Sequence, residues 1–181
     1  ASADGRLEAW YAGILMLINN PIFGVGKGQF LELHRLVAHN SFIHVAAELG
    51  IPGYSLWGGA LTFSILTGYF FIKKSTSELK KDKTSKKNDR VNISNELKNE
   101  LSINKALFFS MIGFMVTGFF ISRMFTLLLF IYLGMQLASH IRVLKLSPEY
   151  QEYMTNSLVL KSMGYCWVII VAVYIALKMG L

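Results

Sequence analysis

"ALFFSMIGFMVTGFFISRMFTLLLFIYLGMQLA", residues 106–138, runs for 33 positions with one formal charge, Arg123, near its middle. As a single helix it would reach about 50 Å at roughly 1.5 Å per residue, far beyond the roughly 30 Å of hydrocarbon that one crossing requires. It would also leave a guanidinium unpaired in lipid. Two short helices, 106–121 and 124–138, joined by a tight turn at Ser122-Arg123, bring the charge out at a membrane surface instead.

Working outward, residues 53–72, "GYSLWGGALTFSILTGYFFI", hold no formal charge over twenty positions and are long enough to span. Residues 163–179, "MGYCWVIIVAVYIALKM", form a shorter last candidate with Lys178 at its end. Four spans put 73–105 and 139–162 on one side and 1–52 on the other. The first side carries Lys73, Lys74, Lys80, Lys81, Lys83, Lys86, Lys87, Arg90, Lys98, Lys105, Arg142, Lys145 and Lys161. The other has only Arg6, Lys27, Arg35, Arg123 and Lys178. The positive-inside rule then makes both basic loops cytoplasmic and residues 1–52 periplasmic. Reading 106–138 as a single span would export Arg142, Lys145 and Lys161, so the charges favour the hairpin.

Composition agrees. The 181 residues are 53% hydrophobic and 16% charged, with mean hydropathy +0.43, which departs from a soluble domain toward a membrane protein. The expected fold is all-α and polytopic, with about four transmembrane helices preceded by a periplasmic loop with interfacial helices. Most of the +7 charge lies in one block rather than on a face with interleaved aromatics, which argues against nucleic acid as a partner. Cys166 is the one cysteine and sits in an apolar run, so it reads as a packed residue and permits no internal disulfide.

The segment 73–105 is rich in Lys, Asn and Ser and reads as a basic cytoplasmic linker, solvated or disordered, with contact to anionic headgroups as an alternative. Asn92-Ile93-Ser94 matches a glycosylation sequon that a cytoplasmic location would leave unused.

Residues 1–52 hold the candidate chemistry. "GRLEAWYAGILMLINNPIFGVGKGQF" starts at Gly5 and carries a helical apolar stripe ending at Asn19-Asn20-Pro21. Its uncharged core is too short to span, so an interfacial or re-entrant helix is expected, with Trp10 and Tyr11 at headgroup level. No signal-peptide pattern precedes it, which fits a piece of a longer polypeptide whose earlier spans placed this segment outside. "GVGKGQF" meets neither phosphate-loop pattern, and glycines that let a turn lie close to a membrane surface or a neighbouring helix are the preferred reading.

In "LVAHNSFIHVAAELGIPG", residues 36–53, Asn40 or Ser41 suits a helix N-cap, Gly50 a C-cap, and Pro52 forbids continuation. His39 then stands at a helix N-terminus, where free N–H groups and the positive dipole end favour an anion and disfavour an imidazolium. It is a candidate base beside a phosphate cradle or a histidine that hydrogen-bonds at a surface. His34, His39 and His44 recur every five residues, which turns successive side chains roughly 140° apart and argues against a zinc triad. His44 and Glu48 are i,i+4 partners and read as a local polar pair.

The order of these motifs resembles the O-antigen ligase superfamily over residues 5–72: arginine then tryptophan at a helix start, a Pro-x-x-G-x-G turn, and His-Asn leading to Glu-Leu-Gly. The superfamily contains lipopolysaccharide O-antigen ligases, O-antigen polymerases and protein O-oligosaccharyltransferases, and the chain resembles their C-terminal portion. The resemblance implies a membrane glycosyltransferase using an undecaprenyl-diphosphate-linked glycan and a hydroxyl acceptor, lipid A core favoured, without metal or other cofactor. It implies His39 as catalytic base or acceptor-positioning group and Arg6 as diphosphate contact. Asn40, Lys27 and Arg35 follow as substrate-binding candidates, with Glu48 structural. The family's functional arginine of an earlier periplasmic loop has no counterpart here, which implies that a missing N-terminal transmembrane half completes the site. A reading of another class is a non-catalytic membrane component that binds lipid-linked glycan.

Overall fold

The computed structural model describes residues 3–84, 94–121 and 126–180. Helices α1 (Ala3–Asn19), α2 (Gln29–His34), α3 (Ser41–Thr84), α4 (Asn95–Phe120), α5 (Leu127–Leu146), α6 (Asn156–Tyr165) and α7 (Trp167–Lys178) follow in order, with a 3-10 helix at Pro148–Tyr153. Among the described residues there is no strand, and the expected all-α class is what the chain adopts. Among the described residues four helical stretches are long and apolar enough to cross a membrane: Ser41–Glu78, Asn95–Phe120, Leu127–Leu146 and Pro148–Lys178.

Helix α3 is two helices meeting at Gly50, whose φ of 67° and ψ of −168° are non-helical. Pro52 follows in the first turn of the second arm, where its missing N–H costs nothing. Gly50 therefore ends the first arm, as its C-cap reading expected, and Pro52 stands in the first turn of the helix that follows.

A core unites the elements around the first arm, 41–49. Ile14 and Leu17 of α1, Phe42, Ile43, Val45 and Ala46 of the arm, and Ile170 and Val173 of α7 pack with Phe119 of α4. Tyr54 donates to the Cys166 carbonyl at 2.8 Å, and Trp167 Nε1 to Ser55 Oγ at 3.0 Å, which holds the α6–α7 junction against α3. Cys166 is buried.

Four boundaries depart from the sequence reading. The helix after Gly50 runs to Thr84, and α4 starts at Asn95, so 73–84 and 95–105 are helical where a linker was expected. Ser94 caps α4 by accepting from Leu97 N at 3.1 Å, and Leu97 and Leu101, one turn apart, bury against Phe71, Val143 and Tyr150. Those two leucines supply the apolar surface that a Lys-rich composition conceals. Secondly, α4 and α5 outrun the short pair at 106–138. Thirdly, the expected loop 139–162 is helical to Leu146, holds the 3-10 helix, and resumes at Asn156. Finally, the last candidate starts before 163, because α6 and α7 follow one another across Cys166, which keeps helical dihedrals of φ −59° and ψ −24°. The Ser122-Arg123 turn, and Asn92 and Ile93 of the sequon, lie outside the described residues.

On the surface, exposed apolar side chains form a girdle that includes Tyr69, Ile103, Phe109, Val116, Leu128, Ile131, Leu137 and Ile141. Charged residues bound it at one end, with Lys73 one turn after Tyr69, Lys105 one turn before Phe109 and Arg142 next to Ile141. Such a girdle on a helical bundle belongs against lipid.

Candidate functional site

The 41–49 arm is fixed at both ends. At its start, Asn40 Oδ1 accepts from Phe42 N at 3.0 Å and Ile43 N at 3.2 Å, so Asn40 is the N-cap. Ser41, the other candidate, instead donates to the Ile121 carbonyl and ties the arm to the end of α4. At the arm's end, Val25 N and Gly26 N donate to the carbonyls of Ala47 and Glu48 at 2.9 and 3.0 Å. Two carbonyls a helix C-terminus leaves open are thereby satisfied. Gly24, Gly26 and Gly28 all have positive φ, and a Cβ on Gly24 would lie 2.5 Å from Ala47 O. The glycine turn is a cap pressed against a neighbouring helix, not a phosphate loop.

Glu48, 2% exposed, accepts at Oε1 from Phe30 N at 3.3 Å and contacts His44 Nε2 at 2.9 Å. It joins α2 to the arm, and the His44–Glu48 pair is the local pairing its spacing suggested. Among the described residues no group of three or more His, Cys, Asp or Glu is placed to hold a metal ion.

Trp10 is half-buried, and its indole N–H donates to the Ala38 carbonyl at 2.8 Å. This bond engages within the protein the one polar atom of Trp10, while Tyr11 remains exposed. Arg6 precedes Trp10 by one turn, about 6 Å along α1, on the same face. His39 immediately follows Ala38. The indole thus ties the residue before His39 to α1, one helical turn from Arg6 in sequence.

His39 takes φ 50°, a left-handed conformation that a side chain adopts only when its surroundings hold it there. Its imidazole makes no hydrogen bond to the described residues. The N–H groups of Phe42 and Ile43 are taken up by Asn40, so the expected phosphate cradle at this helix start is largely filled by the protein itself. Asn40 is fully buried, and its Nδ2 has no hydrogen-bond partner among the described residues.

The other two cations lie elsewhere. Lys27 follows Gly26 at the C-terminal end of the arm, roughly 12 Å of helix from Asn40, where a cation complements the negative dipole end. Arg35 is the left-handed C-cap of α2, with an exposed side chain and its backbone N–H on the Leu31 carbonyl. The role of Trp10 was missed in the sequence because an aromatic near a membrane reads equally well as an interfacial anchor.

Beside Arg6 an apolar cleft opens between α1, α4 and α7. It is lined by Leu7, Trp10, Phe119, Ile169, Val173 and Leu177, with a volume of about 410 Å³. A second cleft shares Phe119 and Ile169 and continues past Phe42 and Phe120.

Four apolar helices around a site arm held against α1 define a multi-pass, all-α membrane protein. A family model described as O-antigen ligase matches residues 1–58, the segment that contains α1, the glycine turn, His39 and the arm. Over these residues, about a third of the chain, the protein is similar to that family. No curated protein and no solved structure matches the chain.

Proposed function

We propose that this protein transfers a glycan from an undecaprenyl-diphosphate carrier to an acceptor hydroxyl, with a lipid A core sugar as the favoured acceptor. The observation that carries the reading is the double engagement of Trp10. Its ring walls the apolar cleft and its N–H holds Ala38, so one side chain links the cleft, which Leu7 next to Arg6 also lines, to the residue before His39.

In this reading a stretch of polyprenyl lies in the cleft and the diphosphate emerges beside Arg6, whose guanidinium matches phosphate oxygens bidentately. The acceptor oxygen attacks the anomeric carbon as its proton passes to the His39 imidazole. The anomeric C–O bond to phosphate breaks, and the diphosphate departs with the electron pair, its charge met by Arg6. Asn40 holds the backbone that aims His39. Lys27 and Arg35, set away from this locality, act through the field rather than by contact. Residues 1–52 face the periplasm and the spans lie in a bacterial inner membrane.

The test is the glycan profile of cells whose only copy of the gene carries His39→Gly. Glycine accepts the left-handed φ, so the variant removes the imidazole without straining the turn. Loss of long-chain lipopolysaccharide with polymer held on the carrier supports a ligase. Core bearing one repeat unit supports a polymerase, and loss of glycan from protein supports an oligosaccharyltransferase. An unchanged profile with correctly inserted protein overturns the catalytic reading and leaves a component that binds lipid-linked glycan without transfer.

A further inference from the structure

At the opposite end of the bundle from His39, α3 and α4 diverge around a cavity of about 340 Å³. Its lining includes Lys98, Lys105, Ser75, Ser102, Asn104 and Leu101. No carboxylate lines it. The nearest acidic group along α4, Glu100, is buried and engaged by Arg142 at 3.0 Å. Neither lysine ammonium has an ion-pair partner among the described residues, so the cavity presents two uncompensated positive charges.

Asn104 supplies a second, independent sign. It is fully buried in the inner wall, with Nδ2 on Ser139 Oγ at 3.2 Å and Oδ1 without a partner among the described residues. A buried amide oxygen with nothing to accept from is costly. A half-turn of the amide pairs Oδ1 with the Ser139 hydroxyl and leaves Nδ2 as the open donor of a residue in the cavity's wall. The residue is thereby suited to an acceptor-rich guest lying between the lysines.

The cavity's level in the bundle defines which guest. On α3 past Gly50 the charged residues begin at Lys73, one turn after exposed Tyr69, and on α4 they end at Lys105, one turn before exposed Phe109, so the cavity opens where lipid tails give way to headgroups. We propose that it is a binding site for a phosphate-bearing anion, filled in the membrane by the phosphodiester of an anionic phospholipid. Lys98 and Lys105 contact the phosphate oxygens, Asn104 donates from the inner wall, and Ile72 and Leu101 meet the start of an acyl chain. Basic pockets between transmembrane helices select headgroups in this way. Neither the glycan-transfer reading nor His39 enters this argument.

The experiment measures binding of dihexanoyl phosphatidylglycerol and, separately, inorganic phosphate to the full chain in neutral detergent. It compares wild type with Lys98→Gln/Lys105→Gln and Ser102→Trp. The control, Lys145→Gln/Lys161→Gln, changes the charge equally at exposed residues outside the cavity. Expected are saturable lipid binding, a loss of about tenfold or more in the double lysine variant, a similar loss when tryptophan fills the cavity with both charges intact, and little change in the control. Phosphate binding as tightly as the lipid, with the same variant pattern, supports the anion site and makes free phosphate its source. Equal losses in cavity and control variants, or no saturable binding of either anion, overturn the proposal. Ser102 is exposed, so Ser102→Trp tests the site even where the lysine variant disturbs insertion.

Discussion

Trp10 Nε1 lies 2.8 Å from the Ala38 carbonyl oxygen, one residue before His39 and one helical turn beyond Arg6. Ala38 is fully buried, so the indole is the partner that keeps this carbonyl satisfied out of water. Trp10→Phe retains the ring against Phe119, 5.5 Å away edge to face, and removes only the donor. The expected cost is about 1–2 kcal/mol of stability. Glycan transfer falls further, roughly 10- to 100-fold, because an ångström of drift between reacting groups is expensive. Transfer kinetics and thermal unfolding of purified variants check both; a rate loss no greater than the loss of folded protein would detach Trp10 from the site.

Asn40 holds two backbone N–H groups at the start of the arm. Asn40→Ala removes that cap and is expected to cost about 1–2 kcal/mol, whereas Asn40→Ser keeps an acceptor and most of the stability. Thermal unfolding separates the two. Equal melting temperatures for both variants would mean that the cap contributes nothing.

Much of the architecture was legible because membrane helices announce themselves through apolar length. The break after Phe120, the helix ending at Asn19 and the cap at Asn40 all follow from local rules. What escaped depended on partners distant in sequence. Leu97 and Leu101 make α4 start early only because Phe71 and Tyr150 are there to cover them. Around the candidate site, the motifs proposed Arg6 and His39 from sequence alone, whereas Asn40's double bond to the arm and Trp10's reach to Ala38 are tertiary facts. Lys27 looked near the chemistry because its motif is near in sequence; Gly26 pins it to the far end of the arm.

The glycine turn yields a contrast within one motif. Gly24 has φ 66°, and an added Cβ would press on the backbone of Ala47 and Glu48. Gly28 has φ 84° but open space around it. Gly28→Ala therefore meets only the left-handed penalty of about 1–2 kcal/mol. Gly24→Ala adds a backbone clash, and its cost is expected to exceed Gly28→Ala by about 1–3 kcal/mol. Denaturation of the pair in detergent reads the difference directly. A Gly24 variant as stable as the Gly28 variant would show that the turn does not lie against the arm as closely as 2.5 Å implies.

Glu48 gives the sharpest separation between a structural and a chemical carboxylate. One oxygen serves both Phe30 N and His44 Nε2, so its removal strands a buried N–H and the half-buried imidazole at once. Glu48→Ala is expected to destabilise by about 2–4 kcal/mol. Glu48→Gln keeps an acceptor oxygen in place and should cost about 1 kcal/mol or less. Transfer measured on the folded fraction of Glu48→Gln should remain near wild type, because the carboxylate faces α2 rather than the cleft beside Arg6. A glutamine variant that folds normally but loses transfer would instead give the charge of Glu48 a part in the reaction, and His44, its partner at 2.9 Å, would then compete with His39 for the role of base.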